Sequence, residues 1–272
     1  MDKYAVVGFP IGHSMSPTIH AQFATQTGQD LSYRAIEVRP EVFEQALDDF
    51  FQENGKGLNC TVPLKELAFE RADQLTDRAQ FSGAVNTLKL MPDGTLLGDN
   101  TDGVGLLSDL INNLGLSLDG KRLLVLGAGG AARGILGPLL EAKPSVLYLA
   151  NRTVSKAELM EKLFAPIGRV HACCYEALAG QQFDLVINAT SASLSDQLPP
   201  LADELLAPGA VCYDLAYSKQ PTAFMEWATS QGAALAIDGL GMLVEQAAHA
   251  FYLWRDVMPN TDAILNEIKT SV

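Results

Sequence analysis

Residues 123–132 read LLVLGAGGAA, an apolar run that opens directly into a glycine-rich turn. The turn fits G-x-G-x-x-A, the pattern that joins a strand to a helix in dinucleotide-binding folds. Gly127 allows the tight turn, Gly129 lets a pyrophosphate approach the backbone, and Ala132 lets the helix pack closely on the strand. Free N–H groups and the partial positive charge at the start of that helix would hold the phosphates. The stretch therefore predicts a Rossmann-type domain.

The residues after the next apolar run indicate which dinucleotide binds. That run, residues 146–149, is followed by Asn151, Arg152 and Thr153, and no acid stands where an NAD site places an Asp or Glu. Arg152 and Lys156 offer cations to a ribose 2′-phosphate instead. The alternative for these two residues is a solvated charged face, but the preceding glycine loop favours a site for NADP.

Length and composition are those of a globular protein with room for two domains. The chain has 272 residues, 48% of them hydrophobic, and a formal net charge of −13. A domain takes ~100 to 200 residues, and no apolar stretch approaches the ~20 residues of a membrane helix. The acidic charge argues against nucleic acid and anionic membranes as partners. Residues 1–8 enter a strand-like run without a signal-peptide pattern, which predicts a cytoplasmic protein.

The cysteines indicate neither a metal site nor a disulfide framework. Cys60, Cys173, Cys174 and Cys212 lack C-x-x-C spacing. His171 lies two residues before Cys173, which is poor ligand geometry for zinc. We therefore expect buried thiols and no metal.

Strand-like and helix-like segments alternate through the first hundred residues. The expected strands are residues 4–9, 33–37 and 57–62, and the expected helices are residues 17–27, 41–52 and 64–75. A hairpin at residues 85–98 and a helix at 104–113 follow. Further along, Ser155 and Glu158 have capping-box spacing, which predicts a helix start. The alternation predicts an α/β substrate-binding domain with an open sheet, separate from the nucleotide domain.

The end of the chain departs from this alternation. Apolar residues recur there at helical spacing and form one broad stripe: Leu243, Val244, Ala247, Ala248, Phe251 and Trp254. We expect these C-terminal helices to pack back on the first domain and make it discontinuous in sequence. The expected division is residues 1–102 plus 238–272 for the substrate-binding domain and residues 103–237 for the NADP-binding domain.

Several ordered motifs together resemble those of the shikimate dehydrogenase family. They are SMSP at residues 14–17, NCTVPLK at 59–65, GAVNT at 83–87, GDNTDG at 98–103, GAGGAAR at 127–133, NRT at 151–153, NATS at 188–191 and DGLGMLVEQ at 238–246. The resemblance covers nearly the whole chain. Two positions depart from the family pattern: Met15 stands where Lys is usual, and Ser193 stands where Gly is usual. The second departure could alter the loop near the cofactor.

The resemblance implies an enzyme that reduces 3-dehydroshikimate to shikimate with NADPH, a step of chorismate and aromatic amino acid biosynthesis. Lys65 and Asp102 would be the catalytic pair. A helix dipole near Lys65 disfavours a cation and would make the ammonium a readier proton donor, while Asp102 would hold it in line. The substrate-binding positions implied are Ser14, Ser16, Thr61, Lys65, Asn86, Asp102, Tyr217 and Gln246.

Two of these serines match the family's carboxylate site. We expect Ser16 to cap a helix whose first turn contains Pro17, where hydroxyl and free N–H groups converge with Ser14. The implied cofactor positions are Asp77, Gly127, Ala128, Gly129, Gly130, Ala131, Asn151, Arg152, Thr153, Lys156, Leu215 and Gly239.

Other functions remain open at this stage. One is a quinate/shikimate dehydrogenase paralogue, or a relative that prefers NAD. Another is a non-catalytic module that binds NADP and senses it, although the presence of both Lys65 and Asp102 favours an enzyme. The partners expected are small molecules, shikimate or 3-dehydroshikimate, and both a monomer and a homodimer remain open.

Overall fold

Two six-stranded sheets with flanking helices make up the fold, seen here in a computed structural model that describes residues 1–195 and 197–271. The strands are β1 (Asp2–Gly8), β2 (Leu31–Glu37), β3 (Gly55–Cys60), β4 (Gln74–Leu75), β5 (Thr87–Leu90), β6 (Leu96–Asp99), β7 (Arg122–Leu126), β8 (Val146–Ala150), β9 (Val170–Cys173), β10 (Phe183–Asn188), β11 (Leu206–Asp214) and β12 (Leu235–Ile237). The α-helices are α1 (Ser16–Thr27), α2 (Phe43–Gln52), α3 (Lys65–Arg71), α4 (Asp77–Ser82), α5 (Asp102–Ser108), α6 (Gly130–Glu141), α7 (Val154–Phe164), α8 (Ala223–Ser230), α9 (Leu240–Arg255) and α10 (Asp262–Ser271).

The chain divides into two compact units, each with one sheet. Unit one comprises Met1–Gly105 and the chain from Leu243 onward, and unit two comprises Leu106–Met242. Among the described residues, no helix has the length and apolar character needed to cross a membrane.

The sheet of unit one is open and mixed. Its strand order is β2-β1-β3-β5-β6-β4, with β1 parallel to both neighbours and β5 antiparallel to β3 and β6. Leu58 and Leu88, which face each other on β3 and β5, are fully buried in its core. The carboxyl ends of β1 and β3 lead into the segments that contain the sequence-predicted serines and Lys65.

Helix α9 packs on this sheet through its last turns. Trp254 Nε1 donates a hydrogen bond to the Leu88 carbonyl oxygen at 3.0 Å, and its ring stacks on Tyr4 with centroids 4.6 Å apart. Gly57 makes room for this contact, since a Cβ there would lie 2.3 Å from Trp254 Nε1. The expected return of the C-terminal helices to the first domain is confirmed.

The sheet of unit two is parallel throughout, in the order β12-β11-β10-β7-β8-β9. Counted from β7 within this unit, the order is 3-2-1-4-5-6 read from the β9 edge, which is the arrangement of dinucleotide-binding Rossmann folds. Both edge strands are short, three and four residues, and the sequence reading did not anticipate them. The expected α/β fold with an open-sheet domain and a Rossmann-type domain is confirmed.

Two expected helix boundaries were wrong. The helix expected over residues 64–75 is α3, which ends at Arg71 because Ala72 turns extended and Asp73 N–H donates to the Leu96 carbonyl oxygen. The chain then forms β4 alongside β6. The capping box at Ser155 is also wrong, since α7 begins at Val154 with Thr153 in the N-cap position.

Gly57→Ala tests the fit of α9 on the sheet. We predict a loss of about 1–3 kcal/mol in the free energy of unfolding, because the new methyl group must displace Trp254 or the Leu88 carbonyl, 2.8 Å away. Gly137→Ala in α6 is the matched control, since its Cβ would meet Phe164 at an ordinary 3.8 Å and alanine favours a helix. Urea unfolding measures both variants. A Gly57→Ala protein as stable as Gly137→Ala would contradict the prediction.

Candidate active site

In unit one, the structure brings together a lysine and a carboxylate that lie far apart in sequence. Lys65 is the first residue of α3 and Asp102 is the first residue of α5. Lys65 Nζ lies 2.5 Å from Asp102 Oδ2, with 24% of the lysine side chain and 11% of the carboxylate side chain exposed. A pair shielded to this degree retains a direct charge-assisted hydrogen bond while the ammonium still reaches solvent.

Local packing explains why Lys65 stands where it does. Leu64 is fully buried, and its N–H donates to the Thr61 carbonyl oxygen at 2.8 Å, which closes the turn between β3 and α3. The Lys65 carbonyl in turn accepts from Val85 N–H at 2.9 Å. The backbone of the lysine is therefore held from both sides, and Thr61, half-buried, sits on the same turn.

Asp102 is held by the segment that precedes it. Its N–H donates to Asn100 Oδ1 at 3.1 Å, and Asn100 Nδ2 donates to Ser82 Oγ and to the Ala84 carbonyl oxygen. Asn100 is 2% exposed, so these bonds replace the water it has lost. The sequence reading did not single out Asn100.

Asn86 and Gln246 lie beside this carboxylate. Asn86 Nδ2 donates to Asp102 Oδ1 at 2.7 Å and to Gln246 Oε1 at 3.3 Å, although Asn86 and Gln246 are 160 positions apart. Thr101 N–H donates to Asn86 Oδ1 at 2.9 Å, which fixes the orientation of the amide. Unit one thus gathers Lys65, Asn86, Asp102 and Gln246 into one polar cluster.

The two serines lie at the start of α1. Ser16 is the first helical residue and Met15 occupies the N-cap position, so the expectation that Ser16 caps the helix was wrong. Ser16 N–H instead donates to Ser14 Oγ at 3.3 Å. The reason is that Ile19 N–H donates to the Met15 carbonyl oxygen at 3.1 Å, so the helical hydrogen bonds already begin at Met15. Ser16 is buried and Ser14 is half-buried.

In unit two, the glycine-rich loop has the geometry that the sequence predicts. Gly127 has a φ of +96°, and a Cβ there would lie 3.0 Å from the Thr190 methyl group. Gly129 is the N-cap of α6, and Gly129, Gly130 and Ala131 are exposed. Ala128 and Gly127 are buried beneath them. The start of α6 therefore presents backbone N–H groups toward open space.

The NRT segment touches this loop through its asparagine. Asn151 Oδ1 accepts from Ala128 N–H at 3.1 Å, and Asn151 Nδ2 donates to the Thr153 carbonyl oxygen at 2.8 Å. Arg152, Thr153 and Lys156 are exposed. Asn151 thus joins the two loops, and the two cations remain on the surface.

The loops after β11 and β12 approach closely. A Cβ at Gly239 would lie 2.3 Å from the Leu215 carbonyl oxygen, so no larger residue fits without a shift. Gly239 N–H donates to the Ala216 carbonyl oxygen at 2.9 Å. Tyr217 is 40% exposed, and partial burial raises the pKa of its phenol above its usual value.

A buried carboxylate joins the loop after β10 to the loop after β11, and the sequence reading missed it. Asp214 is fully buried at the end of β11 and accepts from Ser193 Oγ at 2.6 Å and from Thr222 Oγ1 at 2.7 Å. Asn188 Nδ2 donates to Ser193 Oγ at 2.9 Å. The serine that departs from the family pattern is thus part of this network. A strand-terminal Asp followed by a predicted loop was the available signal.

The remaining expected position belongs to unit one. Asp77 is an exposed residue at the start of α4, while its neighbour Arg78 pairs with the buried Asp99. Among the residues that the structure describes, no group of three or more His, Cys, Asp or Glu side chains could hold a metal ion.

The architecture and the glycine loop place the chain among two-domain, dinucleotide-dependent oxidoreductases. Three family profiles match it: "Shikimate dehydrogenase substrate binding domain" over residues 6–88, "Shikimate / quinate 5-dehydrogenase" over 109–195 and "Shikimate 5'-dehydrogenase C-terminal domain" over 239–269. The chain belongs to the shikimate dehydrogenase family.

Individual relatives agree with this assignment. A shikimate dehydrogenase (NADP(+)) from Methylococcus capsulatus is 56% identical over 98% of this chain and 96% of its own length. The crystal structure of an Ael1 enzyme from Pseudomonas putida is 48% identical, covers 98% of both chains and has a TM-score of 0.93. Shikimate 5-dehydrogenase from Thermus thermophilus in complex with NADP(H) and shikimate is 33% identical over the whole of both chains, with a TM-score of 0.87.

His20, on the helix that begins with Ser16, makes stability depend on pH. It is 1% exposed, and burial lowers its pKa to about 3, opposed in part by the Asn59 amide. Below the ordinary pKa of 6.5 the unfolded chain binds a proton that the folded state does not bind. The free energy of unfolding therefore decreases as the pH is lowered, by up to about 1.4 kcal/mol per pH unit.

We predict that His20→Phe removes this slope between about pH 6.5 and 4. Phenylalanine keeps the ring stacked on Tyr33, where the histidine centroid lies 4.1 Å away, and titrates nowhere in this range. Urea unfolding of the wild type and the variant across this range measures the difference between their pH profiles. Carboxylates contribute equally to both profiles and cancel from the difference. Parallel pH profiles would contradict the assignment.

Proposed function

We propose that this chain catalyses the reversible NADPH-dependent reduction of 3-dehydroshikimate to shikimate. The observation that carries the proposal is the Lys65–Asp102 pair, with Asn86 and Gln246 beside it, in a chain of this family. A ketone reduction needs a proton donor at the carbonyl oxygen and directional groups for the substrate hydroxyls, and this cluster offers both.

Lys65 is the proposed general acid. NADPH, when bound, supplies the hydride that the C3 carbonyl carbon accepts. Lys65 donates one proton from its ammonium to the carbonyl oxygen, which becomes the C3 hydroxyl, and the neutral amine recovers a proton from solvent. Asp102 holds the ammonium through Oδ2, and its position limits the rotation of the lysine side chain. In the reverse direction Lys65 acts as the base.

Polar groups of unit one account for recognition of the substrate. Ser14 and Ser16 are assigned to the carboxylate, since the loop before α1 brings a hydroxyl and N–H groups together. The hydroxyls are assigned to Thr61, Asn86, Asp102 and Gln246, with Tyr217 of unit two as a further contact. A compound that lacks one of these hydroxyls would leave a buried amide or carboxylate without a partner.

Unit two is assigned to the cofactor, and its residues fit a dinucleotide. The left-handed Gly127 and the exposed start of α6 form a cradle that Gly127, Ala128, Gly129, Gly130 and Ala131 would offer to the pyrophosphate. The exposed Arg152 and Lys156, with Thr153, are assigned to the 2′-phosphate. Asn151 holds that segment against the loop.

Further cofactor positions are assigned on the family pattern. Leu215 and Gly239, at the close approach of two loops, are proposed to lie beside the nicotinamide, and Asp77 is proposed near the cofactor. The proposed domains remain residues 1–102 plus 238–272 for the substrate and 103–237 for NADP. The cytoplasm is the proposed compartment, because the four cysteines of the protein are free thiols and a reducing environment favours free thiols.

Quinate is a second candidate substrate, because the profile that matches residues 109–195 is described as shikimate / quinate 5-dehydrogenase. The test follows formation of the reduced cofactor, NADPH or NADH, by absorbance with shikimate and with quinate, each with NADP and with NAD. Turnover with shikimate and NADP is the expected result. Faster turnover with quinate would reassign the substrate, and NADP binding without turnover on either acid would indicate a sensing module.

Lys65→Ala tests proton transfer. We predict a fall in kcat of about 10²- to 10⁴-fold, because proton transfer acts in the transition state, while binding of shikimate is largely kept. Lys56→Ala, which removes an exposed lysine of the same unit, is the control and should keep wild-type kcat. A loss below about tenfold would show that the proton comes from elsewhere.

Arg152→Ala tests recognition of the 2′-phosphate. We predict that KM for NADP rises much more than KM for NAD, since NAD has no phosphate for the guanidinium to bind. Arg169→Ala, another exposed arginine of unit two, should leave both constants unchanged. Initial rates with each cofactor measure the ratio, and equal losses for both cofactors would remove Arg152 from this role.

A further inference from the structure

A continuous series of hydrogen bonds runs behind the polar cluster of unit one. Tyr33 Oη donates to Asn59 Oδ1 at 2.7 Å, and Asn59 Nδ2 donates to Thr87 Oγ1 at 3.0 Å. Thr87 Oγ1 donates to Asn86 Oδ1 at 2.8 Å, and Asn86 Nδ2 donates to Asp102 Oδ1 at 2.7 Å. The series crosses the sheet from β2 to β5 and ends on the carboxylate that holds Lys65.

The direction of every bond is determined by backbone groups that cannot reverse. Asn59 Nδ2 also donates to the Asn86 carbonyl oxygen at 3.1 Å, so the amide oxygen of Asn59 faces Tyr33. Asn86 Oδ1 also accepts from Thr101 N–H, so the NH₂ group of Asn86 faces Asp102. Thr87 receives one bond from Asn59, which leaves its own proton for Asn86. All four bonds are therefore donated toward the carboxylate.

Bonds aligned in this way polarise one another and strengthen the last donor. The inner members have little access to water: Asn59 is 7% exposed, Asn86 is 3% exposed and Thr87 is fully buried. None of them can exchange its partner for solvent without cost. The amide of Asn86 consequently has one orientation, and it presents that orientation to Asp102.

Tyr33 begins the series and is itself held in place. Its ring stacks on His20 at an interplanar angle of 8°. Burial raises the pKa of its phenol well above the usual value, with Ser16 acting in the opposite direction, so the hydroxyl keeps the proton that it donates. The contact with Ser16 brings the start of α1 to the same point.

We propose that Tyr33, Asn59 and Thr87 form a positioning relay that orients Asn86 and, through it, the carboxylate of Asp102. The inference rests on the proposed function, since the relay acts on the proposed catalytic pair. Loss of one of its hydroxyls leaves the site able to bind cofactor but lets the carboxylate and Lys65 turn away from the reacting oxygen. The expected effect therefore falls on kcat rather than on KM for NADP.

The test compares four variants with shikimate and NADP. Tyr33→Phe and Thr87→Val remove a hydroxyl while they keep the shape, and each should lower kcat about tenfold, with KM for NADP unchanged. Thr87→Ser restores the hydroxyl and should stay within about twofold of wild type. Tyr4→Phe is the matched control, because Tyr4 pairs with Tyr33 in the sheet and is buried, but its hydroxyl contacts Arg255.

Several outcomes would overturn the relay. They are wild-type kcat in both Tyr33→Phe and Thr87→Val, an equal loss in Tyr4→Phe, or a Thr87→Ser protein as slow as Thr87→Val. Unfolding midpoints are measured alongside, and if Tyr33→Phe does not fold, the Thr87 pair decides. A wild-type chain inactive on shikimate would overturn the proposed function and the relay with it, whereas an active wild type with unaffected variants would overturn the relay alone.

Discussion

A carboxylate removed from water must find partners that replace its hydration, and Asp99 imposes this constraint on unit one. It is fully buried at the end of β6. Arg78 binds it with two donors, Thr76 Oγ1 donates at 2.6 Å, and Asn100 N–H donates at 2.8 Å. Because Asn100, the next residue in the chain, is also bonded to this carboxylate, the path of the chain toward Asp102 is fixed at this point. Loss of a partner would leave an uncompensated buried charge.

Unit two also has a buried carboxylate at the end of a strand, in this case β11. Asp214 binds the hydroxyls of Ser193 and Thr222 and the Ala216 N–H, of which Ser193 follows β10 while Ala216 and Thr222 follow β11. One buried carboxylate thus determines the position of the loop that carries Leu215 and Tyr217 relative to the loop that carries Ser193. Ser193 contributes a hydroxyl that the usual glycine lacks, so the departure from the family pattern adds a contact to this network.

Apolar packing contributes most of the stability, while the polar networks mainly fix the positions of the groups that they join. Each net hydrogen bond contributes about 0.5–1.5 kcal/mol, and burial of one large apolar side chain contributes about 1.5–3 kcal/mol. Leu58 and Leu88 in unit one, and Leu124 and Val186 in unit two, are fully buried on strands of the two sheets. The strands are therefore held by their apolar faces, and the polar groups decide which orientation their ends adopt.

The sequence by itself determined the features whose causes are local. The glycine loop after β7, the left-handed Gly127, the missing acid before Arg152 and the apolar stripe of α9 could all be predicted, because each depends on neighbours within a few turns. The motif order also determined the family. The tertiary structure alone decided which polar groups meet: Asn86 and Gln246 are 160 positions apart, and Asn59 reaches Tyr33 across a strand. It also cut α3 short at Arg71, where Asp73 bonds to Leu96 of a distant strand. The physical reason is that a buried polar group bonds to a partner that the packing of distant strands brings within about 3 Å. The residues adjacent to it in sequence do not determine which partner that is.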